Sequence, residues 1–317
     1  MGRRFDILAV GDYCLDLIFS GLPRVPRLGE EVVGTAFTMT AGGAFNAVVA
    51  MHRLGLKVGW AADFGDDDFS RFALERARAE GLDDTLFVYH RRPLRRVTVA
   101  ASFPEDRAFI THYDPDPTLP AGMKALAQVS ARALYVPGFY SGALFTAGLG
   151  LIRLKKMKLI MDGNSSDEIR LADPAVRETV ASVDLFMPNA AEARRMTGES
   201  DLLAAIGALA ALCPLVVVKD GPGGAYASAG GRVLHASPIP VTPVETTGAG
   251  DCFNAGFIRP WLDGRPLAEC LQWGNVVGGL STQAPGGTEK VVTEHDIARW
   301  LKSDQAPAVR VVSPDSE

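Results

Sequence analysis

The chain has 317 residues, 47% hydrophobic and 22% charged, enough for one large globular domain with a sizeable core. A formal net charge of −5 argues against a general nucleic-acid or membrane-surface binder, and no apolar run approaches the length of a membrane span. Four cysteines without CxxC spacing argue against a zinc or disulfide framework and make the cytoplasm the expected compartment.

Phe5 to Val10 is a short apolar run ending at Gly11-Asp12, the pattern of a buried strand. Residues 13–41 alternate and carry Pro23, Pro26, Gly29 and Gly34, which predicts short strands and turns. Gly42-Gly43 then precedes a helical stretch from Asn46 that Gly55 stops. Asp66, Asp67 and Asp68 offer caps for a helix from Phe69 to Ala79. Arg91, Arg92, Arg95 and Arg96 form the one basic run, read as a solvated loop or strand rim. Residues 97–102 and 108–111 predict a hairpin joined by Pro104-Glu105-Asp106.

Beyond Pro120, apolar runs at 134–136, 159–161, 185–187 and 215–218 alternate with helical stretches near 121–132, 142–156, 167–181 and 190–211. Continuous apolar strands between helices indicate a parallel sheet covered on both faces, an α/β fold. Ligands of such sheets bind at the C-terminal ends of the strands. Gly11-Asp12, Asp162-Gly163-Asn164, Pro188-Asn189 and Lys219-Asp220-Gly221 all follow such runs and converge on one rim. Segments 13–41 and 92–112 are candidates for a flap over that rim. Residues 304–317, rich in Pro, Ser and Asp, are expected as a loose tail.

Near the C-terminal third, the proline-rich segment 238–244 excludes helix, and Phe253, Phe257 and Trp261 recur four apart, as on a helix face. Gly248-Ala249-Gly250 therefore sits where extended chain becomes helix, and the unpartnered first-turn amides there make an anion site. Asp251 follows at once. A carboxylate repels a bound phosphate, but it serves as a base toward a hydroxyl that attacks one.

These residues carry a resemblance. Thr246-Thr247-Gly248-Ala249-Gly250-Asp251 resembles the second signature of the ribokinase, or PfkB, family of carbohydrate kinases. Gly42-Gly43-Ala44-Phe45-Asn46, ahead of an Ala-rich helix, resembles the first, and Pro26-Arg27-Leu28-Gly29-Glu30 resembles a lid segment. The two signatures stand in order, about 200 residues apart, and the similarity runs from about Asp6 to Ile297.

The resemblance implies one ribokinase-like domain, with a central mainly parallel sheet between helices (a Rossmann-like three-layer sandwich) and a small β-sheet lid. It implies transfer of the γ-phosphate of MgATP to an alcohol of a sugar or sugar acid. Asp251 would be the base and the amides of Gly248, Ala249 and Gly250 the anion hole. Asp16, Gly42, Gly43 and Asn46, with Asp12 as a weaker match, would contact the sugar. Asn189, Lys219, Gly221, Gly224 and Asn275 would face the nucleotide, and Glu192 would organise Mg2+, largely through water. Some members also bind a monovalent cation such as K+, and similar kinases often pair as homodimers through the lid.

The sequence departs from the pattern in three informative places: Glu245 stands for an aspartate, the arginine expected after Asn164 is missing, and Pro260 interrupts the helix after Asp251. The alternatives are a nucleoside kinase of the same family, or a non-catalytic sugar or nucleotide sensor on this fold. A nicotinamide dehydrogenase is disfavoured, because Gly248-Ala249-Gly250 lacks the third glycine of a dinucleotide fingerprint. Of the five histidines, only His112 on the lid hairpin is a candidate for touching substrate.

Overall fold

A computed structural model describes residues 4–104, 107–116, 118 and 120–312. The first half contains β1 (Phe5–Val10), β2 (Tyr13–Ser20), β3 (Ala36–Gly43), α1 (Ala44–Arg53), β4 (Val58–Ala61), β5 (Asp63–Phe64), α2 (Asp68–Ala79), β6 (Val88–Tyr89), β7 (Arg96–Ser102) and β8 (Arg107–Tyr113). Then come α3 (Ala121–Gln128), β9 (Ala131–Val136), α4 (Ala143–Leu154), β10 (Lys158–Asp162), α5 (Pro174–Ala181), β11 (Leu185–Met187), α6 (Ala190–Thr197), α7 (Leu202–Ala210) and β12 (Leu215–Lys219). The chain closes with β13 (Ala225–Ala229), β14 (Arg232–Ala236), α8 (Ala249–Leu262), α9 (Leu267–Ser281), α10 (Glu294–Leu301) and β15 (Val309–Val312).

Nine strands form the central sheet in the order β15-β14-β13-β12-β11-β10-β9-β1-β4. The pairs from β4 through β12 are parallel, and β13, β14 and β15 add antiparallel strands at one edge. Alternation along each strand feeds two cores. Ile7, Tyr135, Ile160 and Val217 pack with Phe253 and Phe257 on one face. Leu8, Leu134, Met161, Phe186, Val216 and Val218 fill the other face beneath α3 to α7. This is the ribokinase-like sandwich that the sequence predicts. A separate four-stranded sheet, β3-β2-β7-β8, forms the lid from the two flap segments.

Local sequence explains most helix starts. Asp67 caps α2 by accepting from the Ser70 amide, and Asp173 caps α5 with Pro174 at the first turn. That cap starts α5 later than the predicted 167–181 stretch. The predicted 190–211 helix is two helices, because Gly198 ends α6 in a left-handed cap (φ +81°). α8 continues through Pro260 to Leu262; the proline falls in its last turn, where one helical hydrogen bond is lost.

The expected loose tail is corrected in part. Val309–Val312 pairs antiparallel with β14, because alternating Val and Arg can extend an open sheet edge, while residues 313–317 lie outside the described residues. Glu105 and Asp106 of the predicted hairpin turn also lie outside them. No helix among the described residues is long and apolar enough to cross a membrane, and all four cysteines are buried and unpaired.

Candidate active site

β10, β11 and β12 end at Asp162, Met187 and Lys219, and the α8 N-terminus faces them across a cleft of about 810 Å³. That volume suits a small-molecule site. Gly248 caps α8 at φ +74°, a conformation that glycine adopts without strain. A Cβ there would stand 2.7 Å from Gly287 Cα and 2.8 Å from Asn46 Nδ2. The Ala249 N–H donates to Thr246 O (3.2 Å). It is therefore committed within the turn, while Gly248 and Gly250 line the cleft on either side of it.

Asp251 sits in the first turn of α8, and its Oδ2 accepts from Asn46 Nδ2 at 3.3 Å. Burial pushes its carboxyl up to about 7 and the Asp162 carboxylate adds to this, while Lys219 and the Asn46 hydrogen bond oppose it. Lys219 Nζ is held by Asp162 (3.0 and 3.1 Å) and by Asn254 Oδ1 (3.3 Å). Asn254 in turn donates to Asp162 and to the Tyr135 hydroxyl. A Gly250 Cβ would lie 3.7 Å from Lys219 Nζ, so the ammonium stands beside the anion loop.

On the acceptor side, Gly42 lies directly against the Asp16 carboxylate, where any Cβ would collide with it. Asp16 is buried (6% exposed), and burial, then Asp251, then Glu245 push its carboxyl up to about 7. Gly43 caps α1 at φ +63° beside the Asp12 carbonyl. Asn46 is wedged between Gly248 and Gly287, so it braces Asp251, while its buried Oδ1 has no protein partner. Asp12 Oδ2 pairs with Arg96 Nη2 (2.8 Å) and its Oδ1 accepts from the Asp63 amide (3.1 Å), which fixes the carboxylate at the end of β1. The same pair corrects Arg96, which is buried and not part of a solvated rim.

Strand register lines Thr40, Asp16, Thr98 and Thr111 up across the inner face of the lid. Thr98 Oγ1 bonds Thr111 Oγ1 at 2.9 Å and Cys14 Sγ at 3.2 Å, which fixes that face. Phe109 and Tyr113 alternate onto it, half exposed. His112 alternates to the opposite face and bonds Asp114, so it does not touch the pocket.

On the nucleotide side, Asn189 and Glu192 form a reciprocal capping box on α6, with Glu192 Oε2 accepting from the Asn189 amide at 2.8 Å. Burial, and then Asp162, raise the Glu192 carboxyl above its usual range. Gly221 and Gly224 turn at φ +49° and +88°, and a Gly224 Cβ would strike the Ala236 carbonyl. The Asn275 Nδ2 donates to Ala236 O (3.0 Å) and Ser237 O (2.8 Å). Asn275 therefore tethers the end of β14 at the cleft wall, and its amide nitrogen is not available to a base. Pro238, Ile239, Val241, Gly278 and Gly279 make that wall apolar.

Two residues of the site carry no local signal, Asn254 and Arg107, while the sequence places Asp162 and Glu245 near it without a role. Glu245 is buried and accepts from Thr247 N (2.7 Å), Thr247 Oγ1 (2.5 Å) and Gly286 N (3.2 Å). Arg107, from the lid, reaches it at 3.3 Å. Asp63, His90 and Asp116 form a second cluster, with their ligand-type atoms within 4.8 Å of one another. Its carboxylates already accept from the Ala121 amide, Arg92 and Thr118, so it reads as a buttress.

Comparison with known proteins agrees with this geometry. The chain is 26% identical over 310 residues to a ribokinase of Bacillus subtilis (strain 168), covering 93% of this chain and 99% of that protein. It is 25% identical over 307 residues to a 2-dehydro-3-deoxygluconokinase of the same organism, covering 87% and 91%. Its fold matches the structure of Arabidopsis thaliana ribokinase complexed with ribose and ATP, with a TM-score of 0.77, 20% identity and 94% and 99% coverage. The model of the pfkB family carbohydrate kinases matches residues 5–294. Because that model spans nearly the whole chain, the chain belongs to the pfkB family and is a carbohydrate kinase.

Proposed function

We propose that the enzyme transfers the γ-phosphate of MgATP to a hydroxyl of a neutral sugar, with Asp251 as the base. The carrying observation is the place and charge of Asp251: it joins the anion loop to the acceptor pocket, and its surroundings tune it to about 7. A hydroxyl held by Asp16 and by the unpartnered Oδ1 of Asn46 would lie within reach of Asp251. Asp251 takes its proton as the oxygen attacks. The Gly248 and Gly250 amides and the Lys219 ammonium then hold the charge of the transferred phosphoryl. The apolar wall of Ile239, Val241 and the glycines of α9 would suit a purine ring.

The donor set fits a divalent cation. Asp162, Glu192 and Asp251 crowd three carboxylates around one ammonium, and burial with mutual repulsion raises Glu192 and Asp251. Mg2+, held by Glu192 and Asp162 largely through water, would supply charge neutralisation for the phosphates. A monovalent cation does not fit at Glu245, whose oxygens are engaged by two backbone amides, a hydroxyl and a guanidinium. No step is assigned to it.

Charge favours a neutral acceptor. Asp16 and Asp251 face the pocket, while Arg96 and Arg107 are already paired with Asp12 and Glu245. An anionic sugar acid would meet a negative field there. A second reading, a nucleoside acceptor, is favoured by the half-exposed rings of Phe109, Tyr113 and Tyr140, which could hold a planar base. ADP release from MgATP should be measured with pentoses, hexoses, keto-deoxy sugar acids and nucleosides. Turnover of a free neutral sugar supports the first reading, turnover of nucleosides alone supports the second, and preference for an acid refutes the charge argument.

We also propose that two lids pair. The outer lid face exposes Phe19, Phe37, Met39 and Ile110, the last 74% exposed, and burying such a patch favours a homodimer. Sedimentation at micromolar concentration should show a dimer that Ile110→Glu splits; a monomeric wild type would refute the pairing.

A further inference from the structure

Arg107 opens β8 at the tip of the lid hairpin, opposite Ser102. Its Nη1 lies 3.3 Å from Glu245 Oε1 and 3.3 Å from Thr247 Oγ1, and its guanidinium sits 5.5 Å from the centre of the Phe109 ring. Arg107 lines the same cleft as Gly248, Gly250 and Asp251. Glu245, 7% exposed, uses Oε1 to fix the Thr247 amide and hydroxyl, and Oε2 to fix the Gly286 amide. Thr247 and Gly286 flank the left-handed Gly248 turn from two sides, through the chain and through the adjoining Gly287 contact. One buried carboxylate thus ties together the anion turn, the 284–287 turn and the lid.

We infer that Arg107 and Glu245 form a latch through which the lid positions the anion hole. A carboxylate buried beside an anion site is costly unless a cation compensates it, and the cation here comes from the separate lid sheet. With Arg107 in place, Glu245 holds the Thr247 amide, and Gly248 keeps its left-handed φ. With Arg107 withdrawn, the carboxylate lacks its counter-charge and the turn loosens. A lid settled on an acceptor therefore completes the anion hole, and an open lid leaves it imperfect, which restrains ATP hydrolysis by water. Glutamate at this position has the reach to hold both turns and still meet the guanidinium. Arg107 and Glu245 are positioning residues: they act through the turn and not on the reacting atoms. The catalytic consequence rests on the kinase reading, but the latch itself does not.

Amide hydrogen exchange of the segment 244–252 tests the latch without any substrate. Arg107→Ala and Glu245→Gln should each speed exchange there by about fivefold or more, leave segment 294–301 unchanged, and the double variant should add nothing to either single one. Arg107→Lys should restore part of the protection, since it keeps the charge but loses the planar fork. Unchanged exchange in Arg107→Ala, or equal acceleration across both segments, overturns the latch. With an accepted sugar, Arg107→Ala should lower kcat roughly tenfold or more, leave the KM for ATP within about threefold, and leave ATP hydrolysis in the absence of sugar no higher than in the wild type. An unchanged kcat with a loosened loop would overturn the catalytic consequence. If Asp251→Asn is as active as wild type, the proposed mechanism with Asp251 as base fails while the exchange result still stands.

Discussion

Asp251→Asn should lower kcat by roughly 10²–10⁴-fold, about 3–5 kcal/mol in the barrier, with KM for ATP nearly unchanged. The asparagine keeps the shape and the contact with Asn46 Nδ2 through its own carbonyl, so the fold should be retained. What it removes is proton affinity at the point where the acceptor pocket meets the anion loop. The size of the loss follows from how the site raises that affinity. Burial and the Asp162 carboxylate push Asp251 up to about 7, while Lys219 and Asn46 restrain the rise and keep a working fraction ionised at neutral pH. An aspartate at its ordinary value of 3.8 would be a far weaker acceptor for a hydroxyl proton. Steady-state kinetics with ADP detection, supported by a circular dichroism melt, checks both parts of the expectation.

The second large effect is expected at Gly248. Alanine at φ +74° costs about 1–2 kcal/mol in backbone strain alone. The added Cβ would also meet Gly287 Cα at 2.7 Å and Asn46 Nδ2 at 2.8 Å. Neither neighbour can yield cheaply: one is backbone, and the other is the brace of Asp251. Gly248→Ala should therefore both misplace the amides of the turn and disturb the base, with a loss of roughly 10²-fold or more in kcat, the range seen when an oxyanion-hole donor is lost. Gly230→Ala is a useful control, since its φ of +56° carries the same type of strain with nothing within 4 Å of the new Cβ. It should cost stability without costing catalysis. Equal activity of the Gly248 and Gly230 variants would refute the role of the turn.

Much of this site was legible because its chemistry is local. Proline-rich chain, two glycines and a four-residue apolar repeat specify the turn from strand to helix at Gly248, and the Asn189-to-Glu192 spacing specifies the α6 cap. Alternating apolar runs likewise revealed the parallel sheet. What stayed hidden depends on partners far apart in sequence. Arg107 and Glu245 are separated by 138 positions, and an arginine in a hairpin carries no sign of the carboxylate it will meet. Nor does the sequence around Asp12 show that Arg96 will pair with it, or that around Asn275 show that two carbonyls of the 236–237 segment will take its amide hydrogens. The strand at 309–312 was masked by its Pro- and Ser-rich surroundings, since only an open edge at β14 gives those residues a place to pair.

The tuned carboxylate is most directly tested by kcat/KM for the accepted sugar, at saturating MgATP, across pH 5 to 9. A proton-accepting Asp251 should give a rate that climbs about tenfold per pH unit at the acid end and levels off above the ordinary aspartate range, because the base works only when ionised and burial raises its carboxyl. A profile that is flat down to pH 5 would contradict a base of that character in this cleft.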